Sequence, residues 1–241
     1  MTQPSHRESA NVVDMAGVAP PGCRVMYLAC RADRDEANGF DLLCDPLTGL
    51  IAYPSFERYL RQRLAGLASH GLHLAIGDVD DLKIHVTARR TSDLDAFGHL
   101  AGNACMREVG AITRRWAGGT LSHWPFAICA TFGGDEVIVA AAGQPYGAFR
   151  GCISELADQL RTHAPRPCSF ATTTLCSSPG LDLDGFPAYR ALVVKVDEAL
   201  FDHKARLRSR GIAPNGEVTD AGAVELPCEP LPTSGRASSA P

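Results

Sequence analysis

Two glycines and two acids stand together at residues 133–136, with an apolar run on each side, over 126–130 and 137–141. Apolar runs around a short Gly-containing segment predict two strands joined by a tight hairpin, because glycine readily adopts the positive φ of such turns. Asp135 and Glu136 then lie at the hairpin tip. Paired carboxylates beside open backbone suit a divalent cation and a phosphate, although a merely solvated tip would carry the same residues. The segment therefore predicts a metal and phosphate site.

A second acidic pair, Asp78 and Asp80, lies at the carboxyl end of a mostly apolar run that begins at Leu72. An acid in that position is well placed for Mg²⁺, which takes carboxylate oxygens together with substrate phosphates. Alone, the pair is also consistent with a simple strand end. Together with the acids of the hairpin, it indicates a two-metal phosphoryl-transfer site, in which the metal ions lie about 3.5–4 Å apart.

Groups that bind phosphate follow the same strand. A strand that turns into a helix exposes the backbone N–H groups of Asp81 and Leu82, and Lys83 is the next residue. Lys204 and Arg208 lie four residues apart on a predicted helix, so they share one face and could clamp a triphosphate. The alternative for these two residues is a solvated basic helix end that favours the helix dipole.

The elements that position these residues follow from the apolar periodicity. The pattern predicts strands over 72–80, 126–130, 137–141 and 168–176, and helices over 54–68, 101–117, 146–163 and 187–208. Residues 84–98 predict a short helix and an exposed loop. Because strands and helices do not alternate strictly, we expect an α/β fold that is not doubly wound, with a central mixed or antiparallel sheet of about five strands flanked by helices.

The composition also predicts the organisation of the chain. Residues 1–42 are a flexible leader with a possible short strand over 23–31, and 43–212 form one domain. Residues 213–241 are rich in Pro, Gly, Ser and Glu, which predicts a disordered tail.

Charge and cysteine usage limit the function classes. The chain has 241 residues, 45% of them hydrophobic and 21% charged, and a net charge of −4. This balance argues against a broad surface for nucleic acid or for an anionic membrane. The nine cysteines form no C-x-x-C pair, so no structural zinc site is expected. With no signal peptide and no apolar stretch of about 18–20 residues, the sequence predicts a cytoplasmic protein without a membrane span.

Five motifs occur in order within residues 43–212. They are Asp-Pro-Leu-Thr-Gly-Leu at 45–50, Asp-Val-Asp-Asp-Leu-Lys at 78–83, Gly-His-Leu-Ala-Gly-Asn at 98–103, Gly-Gly-Asp-Glu-Val at 133–137 and Val-Asp-Glu-Ala-Leu-Phe-Asp-His-Lys at 196–204. In these motifs the chain resembles the GGDEF family of diguanylate cyclases. The second, third and fifth resemble D-x-D-x-F-K, G-H-x-x-G-D and A-D-x-A-L-Y-x-A-K, and the fourth is the signature with Val in place of Phe. Arg208 stands at the position of the family's later arginine.

The resemblance implies the nucleotidyl-cyclase fold and its reaction. Each domain binds one nucleoside triphosphate, and two domains meet face to face as a homodimer. Each 3′-hydroxyl then attacks the α-phosphate of the other nucleotide. GTP is the default substrate, cyclic di-GMP is the product, and Mg²⁺ or Mn²⁺ is the cofactor.

The resemblance also implies roles for individual residues. The metal site would be formed by Asp78, the carbonyl of Val79, Glu136 and Asp135. The terminal phosphates would be held by the backbone N–H groups of Asp81 and Leu82 and by Lys204 and Arg208. The catalytic groups would be Asp135, which helps to activate the 3′-hydroxyl, Glu136, and Lys83, which neutralises developing charge. The nucleotide and its base would contact Gly133, Gly134, His99 and Asn103.

The residues that read the base depart from the family. Asn103 replaces the Asp that closes G-H-x-x-G-D, and the family's Asn shortly after the Lys is missing from 84–87. Extra residues also lie between Lys83 and Gly98. An amide offers a donor and an acceptor, so Asn103 can pair with adenine, and ATP or a mixed pair of nucleotides becomes an alternative to GTP. The other reading is that Asn103 still binds guanine, but more loosely.

The R-x-x-D motif of product inhibition is missing at 124–127, so inhibition through that arginine is not expected.

Two further functions stay open. A degenerate domain that binds a nucleotide as a regulatory module fits the altered base pocket. A different metal-dependent reaction on a nucleoside triphosphate would use the same metal site.

The leader is too short for a usual sensor domain, so control of dimerisation would fall to the leader, the tail or another protein.

Overall fold

The computed structural model describes residues 34–35, 40–88, 99–175 and 185–224. The strands of this part of the chain are β1 Arg34–Asp35, β2 Phe40–Asp41, β3 Ile51–Ala52, β4 Leu72–Val79, β5 Phe126–Gly133, β6 Glu136–Ala142, β7 Cys168–Leu175 and β8 Val218–Val224. The α-helices are α1 Tyr53–Ala68, α2 Leu82–Ala88, α3 His99–Thr120, α4 Tyr146–His163 and α5 Gly185–Ser209. None of these helices is long and apolar enough to cross a lipid bilayer.

Strands β3 to β8 form one mixed sheet in the order β3-β5-β6-β4-β7-β8. The central pairs β5-β6, β6-β4 and β4-β7 are antiparallel, whereas the outer pairs β3-β5 and β7-β8 are parallel. Strands β1 and β2 pair with each other. The predicted α/β class with a mixed sheet is confirmed, and β3 and β8 are the strands of the sheet that the sequence did not predict.

Helices cover both faces of the sheet. α1 and α5 pack on one face around Leu60 and Val196, and α3 and α4 pack on the other around Val109 and Phe149. Strand β4 contributes alternate residues to both cores. A strand buried on both faces has a nearly continuous apolar sequence, which is why the sequence predicts β4 so well.

The predicted helices over 54–68, 101–117, 146–163 and 187–208 are confirmed, with ends that differ by at most three residues. The short helix predicted within 84–98 is α2, and the predicted loop at 89–98 lies outside the described residues. The helices were predictable because their apolar residues recur with a period near 3.6.

Strand β8 corrects the prediction of a disordered tail from residue 213. It pairs in parallel with β7. Its Asp220 accepts a 2.6 Å hydrogen bond from the Tyr146 hydroxyl and forms a 3.1 Å ion pair with Arg150. Composition missed the strand because its stabilising contacts come from distant parts of the chain, while its Gly and Asp have low strand propensity. The possible strand at 23–31 and residues 225–241 lie outside the described residues.

The Asp-Pro-Leu-Thr-Gly-Leu motif forms a closed turn before β3 that contacts α3. Thr48 donates its backbone N–H and its hydroxyl to Asp45 Oδ1, both at 2.8 Å. Arg114 Nη1 of α3 donates to the carbonyl of Thr48 at 2.6 Å. Helix α3 comes so close at Gly110 that a Cβ there would lie 2.3 Å from Thr48 O. The motif therefore fixes the position of α3, the helix that carries His99 and Asn103.

Replacing Gly110 by Ala is expected to destabilise the domain by about 2–3 kcal/mol, because the new methyl group overlaps backbone that cannot move aside. The matched control is Gly119→Ala on the same helix, where a Cβ would meet nothing within 4 Å. That change should be neutral or stabilising by at most about 1 kcal/mol. Urea unfolding of both variants checks the prediction. Equal unfolding midpoints for the two variants would contradict it.

Candidate functional site

The Gly-Gly-Asp-Glu segment forms the predicted hairpin between β5 and β6. Gly133 pairs with Glu136, so Gly134 and Asp135 are the two central residues of the turn. Gly134 has a φ of 71° and Asp135 has a negative φ, the pattern of a type II′ turn, which favours glycine at the first central position. Gly133 also has a positive φ, 98°. A Cβ on either glycine would meet nothing within 4 Å, so the glycines are needed for the backbone conformation and the space above them is open.

The register of β4 and β6 joins the two acidic clusters. Asp78 lies directly opposite Glu136 in this antiparallel pair. Residues opposite each other on antiparallel strands have Cβ atoms about 4.5–5.5 Å apart. The N–H of Val79 donates to the carbonyl of Asp135 at 3.0 Å, which fixes the tip of the hairpin against the end of β4. The acids that the sequence placed in separate motifs thus form one site.

Negative charge predominates at this site. Burial, with the charges of Asp78, Asp135 and Asp197, raises the pKa of Glu136 to about 7, and Lys204 opposes the shift only in part. Burial also raises the pKa of Asp78 against the influence of Lys204. Carboxylates that lie this close disfavour each other's charged forms, and a bound cation would relieve the repulsion.

Lys204 is the cation of this cluster, and it is buried. Its side chain is 6% exposed and forms ion pairs with Asp78 and with Asp80, the second at 2.8 Å. Its Nζ also donates to the carbonyl oxygen of Asp78 at 2.8 Å. Burial lowers its pKa, but the hydrogen bonds and charges of Asp78 and Asp80 outweigh burial and raise the pKa above the ordinary value. Two of its three N–H donors are thus used by Asp78, and its charge is compensated by both acids.

Asp80 stabilises the fold and does not face the open site. It is fully buried. Its Oδ2 accepts from Ser169 Oγ at 2.6 Å and from the N–H of Gly216 at 2.9 Å. Its carbonyl accepts from Arg166 Nε at 2.9 Å, and its N–H donates to the carbonyl of Pro167 at 2.9 Å. Asp80 therefore ties the end of β4 to the start of β7 and to the segment before β8.

Asp81 makes the turn from β4 to α2 with a φ of 51°, a left-handed conformation that Asp tolerates better than most residues. Its two carboxylate oxygens lie 3.5 Å from Nη2 of Arg166 and 3.5 Å from Nη2 of Arg208. Leu82 begins α2, and Lys83 is exposed on it. The residues predicted to bind phosphate thus gather around one turn, except Lys204, which is engaged by the acids.

The residues predicted to bind the base lie on the first turns of α3. His99 is exposed and Asn103 is partly buried. A Cβ on the neighbouring Gly102 would lie 3.5 Å from Val86 of α2, so the two helices are in contact. The structure thereby places Asn103 on a helix beside the one that follows the acidic strand.

Two residues of this site were missed by the sequence reasoning. Asp197 lies in the fifth motif and its charge acts on Glu136. Its spacing of seven residues from Lys204, which puts both on one face of a helix, is the signal that indicates it. Arg166 lies between α4 and β7, outside every motif, and no sequence signal points to it.

Comparison with known proteins identifies the fold. No model of a known protein family matches the chain, and no curated protein sequence does. Solved structures do match. The GGDEF domain of DgcB from Caulobacter crescentus, in complex with c-di-GMP, gives a TM-score of 0.54 at 19% identity over 74% of this chain and 92% of that chain. The chain has the GGDEF fold.

Two more solved structures support the GGDEF fold. The FimX GGDEF domain from Pseudomonas aeruginosa gives a TM-score of 0.52 at 14% identity, over 73% of this chain and 98% of that chain. The diguanylate cyclase SiaD of the same organism, in complex with its activator SiaC, gives 0.53 at 21% identity, over 73% of this chain and 61% of that chain. The resemblance found in the five motifs is thus confirmed in the fold.

The carboxylates at the hairpin of residues 133–136 and at the end of β4 fit a hard divalent cation. No group of three or more Asp, Glu, His or Cys side chains in the described part of the chain forms a complete metal-binding set. Mg²⁺ does not require one, because it usually keeps several waters and binds one or two carboxylates plus substrate phosphates. The facing pair Asp78 and Glu136 could supply those carboxylates, and a bound cation would offset the burial and mutual repulsion that raise the pKa of each.

The raised pKa of Glu136 predicts how metal-free stability depends on pH. Its pKa is about 7 in the folded protein against an ordinary 4.5, so the folded state holds the proton more tightly than the unfolded state. This contribution to stability is fully present below pH 4.5 and is lost as the pH rises through 7. Because Glu136 is partly exposed, solvent screening reduces the expected loss between pH 5 and 8 to about 1–2 kcal/mol.

Glu136→Gln is the matched variant, since it keeps the shape and cannot ionise. Urea unfolding in EDTA at pH 5 and pH 8 should show that the wild type loses stability relative to Glu136→Gln as the pH rises. Mg²⁺ should reverse the loss in the wild type, because a metal ligand must be deprotonated. A constant difference between the two proteins across this range would contradict the prediction.

Proposed function

We propose that this chain is a nucleotidyl cyclase that condenses two nucleoside triphosphates to a cyclic dinucleotide, with GTP to cyclic di-GMP as the default reaction. The observation that carries the proposal is the register that sets Asp78 opposite Glu136 beside the Gly-Gly turn. This arrangement supports a metal site next to the open backbone of the turn. Phosphoryl transfer needs mainly positioning and neutralisation of charge, and such a site supplies both.

In the proposed site, Asp78, Glu136 and the carbonyl of Val79 hold Mg²⁺ or Mn²⁺, with Asp135 beside them. The bound cation would neutralise phosphate charge and orient the reacting oxygens. Gly133 and Gly134 leave room for the nucleotide, because a Cβ on either would meet no atom of the described residues within 4 Å.

The phosphates lie, in this proposal, at the turn that follows β4. The N–H groups of Asp81 and Leu82, with Arg208, hold the terminal phosphates. Lys204 joins them once Asp78 serves as a metal ligand, since one of its three N–H groups is then released. Lys83 is exposed and neutralises charge that develops on the leaving pyrophosphate.

The reaction requires two copies of the chain. Each copy holds one nucleotide, and Asp135 helps to activate the 3′-hydroxyl for attack on the α-phosphate of the nucleotide in the facing copy. A P–O bond forms to the 3′-oxygen, pyrophosphate leaves, and the hydroxyl proton passes to a base. The work of the protein is to place both nucleotides within reach of each other.

A second function is favoured by the residues that are predicted to read the nucleotide base. Asn103 offers one amide where the family's Asp offers two acceptors, and the family's Asn after Lys83 is missing. A domain that binds a nucleotide without turning it over, and regulates a partner, would tolerate these changes.

The test is to incubate the purified chain with Mg²⁺ or Mn²⁺ and with GTP, ATP or both, and to identify the products by mass. A cyclic dinucleotide that is lost in Asp135→Ala supports the cyclase. Nucleotide binding without turnover supports the regulatory module. A mononucleotide product, or another product from one triphosphate, would indicate a different reaction at the same metal site. Formation of the dinucleotide by Asp135→Ala and by Glu136→Ala would refute the site.

Base choice is tested by Asn103→Asp. A carboxylate accepts from both N1–H and the exocyclic amine of guanine, so the variant should prefer GTP over ATP by about tenfold more than the wild type does. Competition between the two nucleotides in one reaction measures the ratio directly. An unchanged ratio would show that Asn103 does not read the base.

A further inference from the structure

The carboxylate of Asp81 lies between two guanidinium groups. Arg166 approaches one of its oxygens from the segment between α4 and β7, and Arg208 approaches the other from the end of α5, each at 3.5 Å. Charge-assisted hydrogen bonds between such groups are usually about 2.7–2.9 Å long. The two arginines therefore converge on one anionic group without a close bond to it.

Arg166 is held in place and still has donors to offer. Its Nε donates to the carbonyl of Asp80 at 2.9 Å, which fixes the plane of the guanidinium. Its side chain is 29% exposed, against 53% for Arg208 and 6% for Lys204. A guanidinium has five N–H donors, so the Nη edge of Arg166 remains available to a ligand at this turn.

Lys204 does not offer a comparable free edge to a ligand at this turn. In the ligand-free protein its ammonium donates two hydrogen bonds to Asp78 and forms an ion pair with the buried Asp80. Arg166 and Arg208 are thus two cations of the described residues that face the turn at Asp81, and a planar fork suits phosphate oxygens better than a point charge does.

We propose that Arg166, with Arg208, binds the terminal phosphates of the nucleoside triphosphate, and that Asp81 holds both guanidinium groups in place until the phosphates arrive. The proposal rests on the proposed function, because it concerns the phosphate end of the same site. Arg166 is a binding residue in this scheme and takes no part in proton transfer. Its bond to Asp80 places the guanidinium before the ligand binds, so little order is lost on binding.

Binding of inorganic triphosphate in the presence of Mg²⁺, measured by calorimetry, tests the proposal without any turnover. Arg166→Gln should weaken binding by about tenfold or more, the effect of one charge-assisted contact. Arg166→Lys should bind with intermediate affinity, because it keeps the charge and loses the fork. Arg115→Gln, an exposed site on α3, is the control and should bind as the wild type does.

The conservative variant separates binding from a structural role. Arg166→Lys and Arg166→Gln both lose the Nε donor to Asp80, so a purely structural tether predicts that they weaken binding equally, and that result would overturn the proposal. Wild-type affinity in Arg166→Gln, or no binding of triphosphate by the wild type, would also overturn it. A third outcome separates this proposal from the proposed function. The wild type would bind triphosphate and Arg166→Gln would not, while no cyclic dinucleotide forms from GTP or ATP. That result would support Arg166 as a phosphate-binding residue and contradict the proposed cyclase reaction.

Discussion

If the chain is the proposed cyclase, Glu136→Gln is expected to lower the rate of cyclic dinucleotide formation by about 100- to 1000-fold, because it removes a proposed metal ligand from the proposed site of phosphoryl transfer. Glutamine has the same shape, and the backbone pairing with Asp78 does not depend on the side chain. The folded protein should therefore be retained. Product formation from GTP at pH 8 with saturating Mg²⁺ is the measurement.

Two features make this result interpretable. The variant should be at least as stable as the wild type at pH 8 without metal, since it removes a carboxylate whose pKa burial and neighbouring acids raise to about 7. Loss of activity with unchanged or higher stability cannot come from unfolding. Glu198→Gln, at an exposed position of α5, serves as the control and should keep full activity. Near-normal turnover by Glu136→Gln would remove Glu136 from the metal site.

Asp80→Asn is expected to have the largest effect on stability, a loss of about 3–5 kcal/mol, because it breaks a buried ion pair and removes one of the two acids that compensate Lys204. Asp80 Oδ1 faces the ammonium of Lys204 at 2.8 Å, while Oδ2 accepts from Ser169 and Gly216. Asparagine has one oxygen, so its NH₂ group must face donors on one of the two sides.

The matched control is Asp158→Asn, which removes an exposed carboxylate that pairs with Arg161 on α4. Exposed pairs contribute about 0–1 kcal/mol, so this variant should unfold close to the wild type in urea. Since small domains are stable by only about 5–15 kcal/mol, Asp80→Asn should unfold at a much lower urea concentration. Similar midpoints for the two variants would show that Asp80 is not the structural centre that its contacts indicate.

The sequence predicted the elements whose signal is local. The hairpin at 133–136 follows from glycines between two apolar runs, and helix α4 follows from its apolar period. Strand β4 follows from a run that is apolar on both faces. The acids at the ends of these elements were also visible, because acidic residues directly after or between apolar strands stand out from the pattern. These features, with the order of the five motifs, were enough to predict the GGDEF fold.

The tertiary structure decided which of these residues face the site and which support it. Asp78 and Asp80 look alike in the sequence, yet the register with β6 sets Asp78 opposite Glu136, whereas Asp80 is enclosed by β7 and α5. In the sequence, Lys204 resembles a free phosphate ligand. Only the packing shows that its ammonium contacts Asp78 and Asp80.

Strand β8 and Arg166 were invisible from the sequence for the same physical reason. β8 is held by backbone pairing with β7 and by side chains of α4, so its own residues carry little strand signal. Arg166 reaches Asp80 and Asp81 across more than eighty residues of chain. Periodicity and motif spacing report contacts between neighbours in sequence, whereas burial, ion pairing and sheet-edge pairing depend on which distant segments the fold brings together.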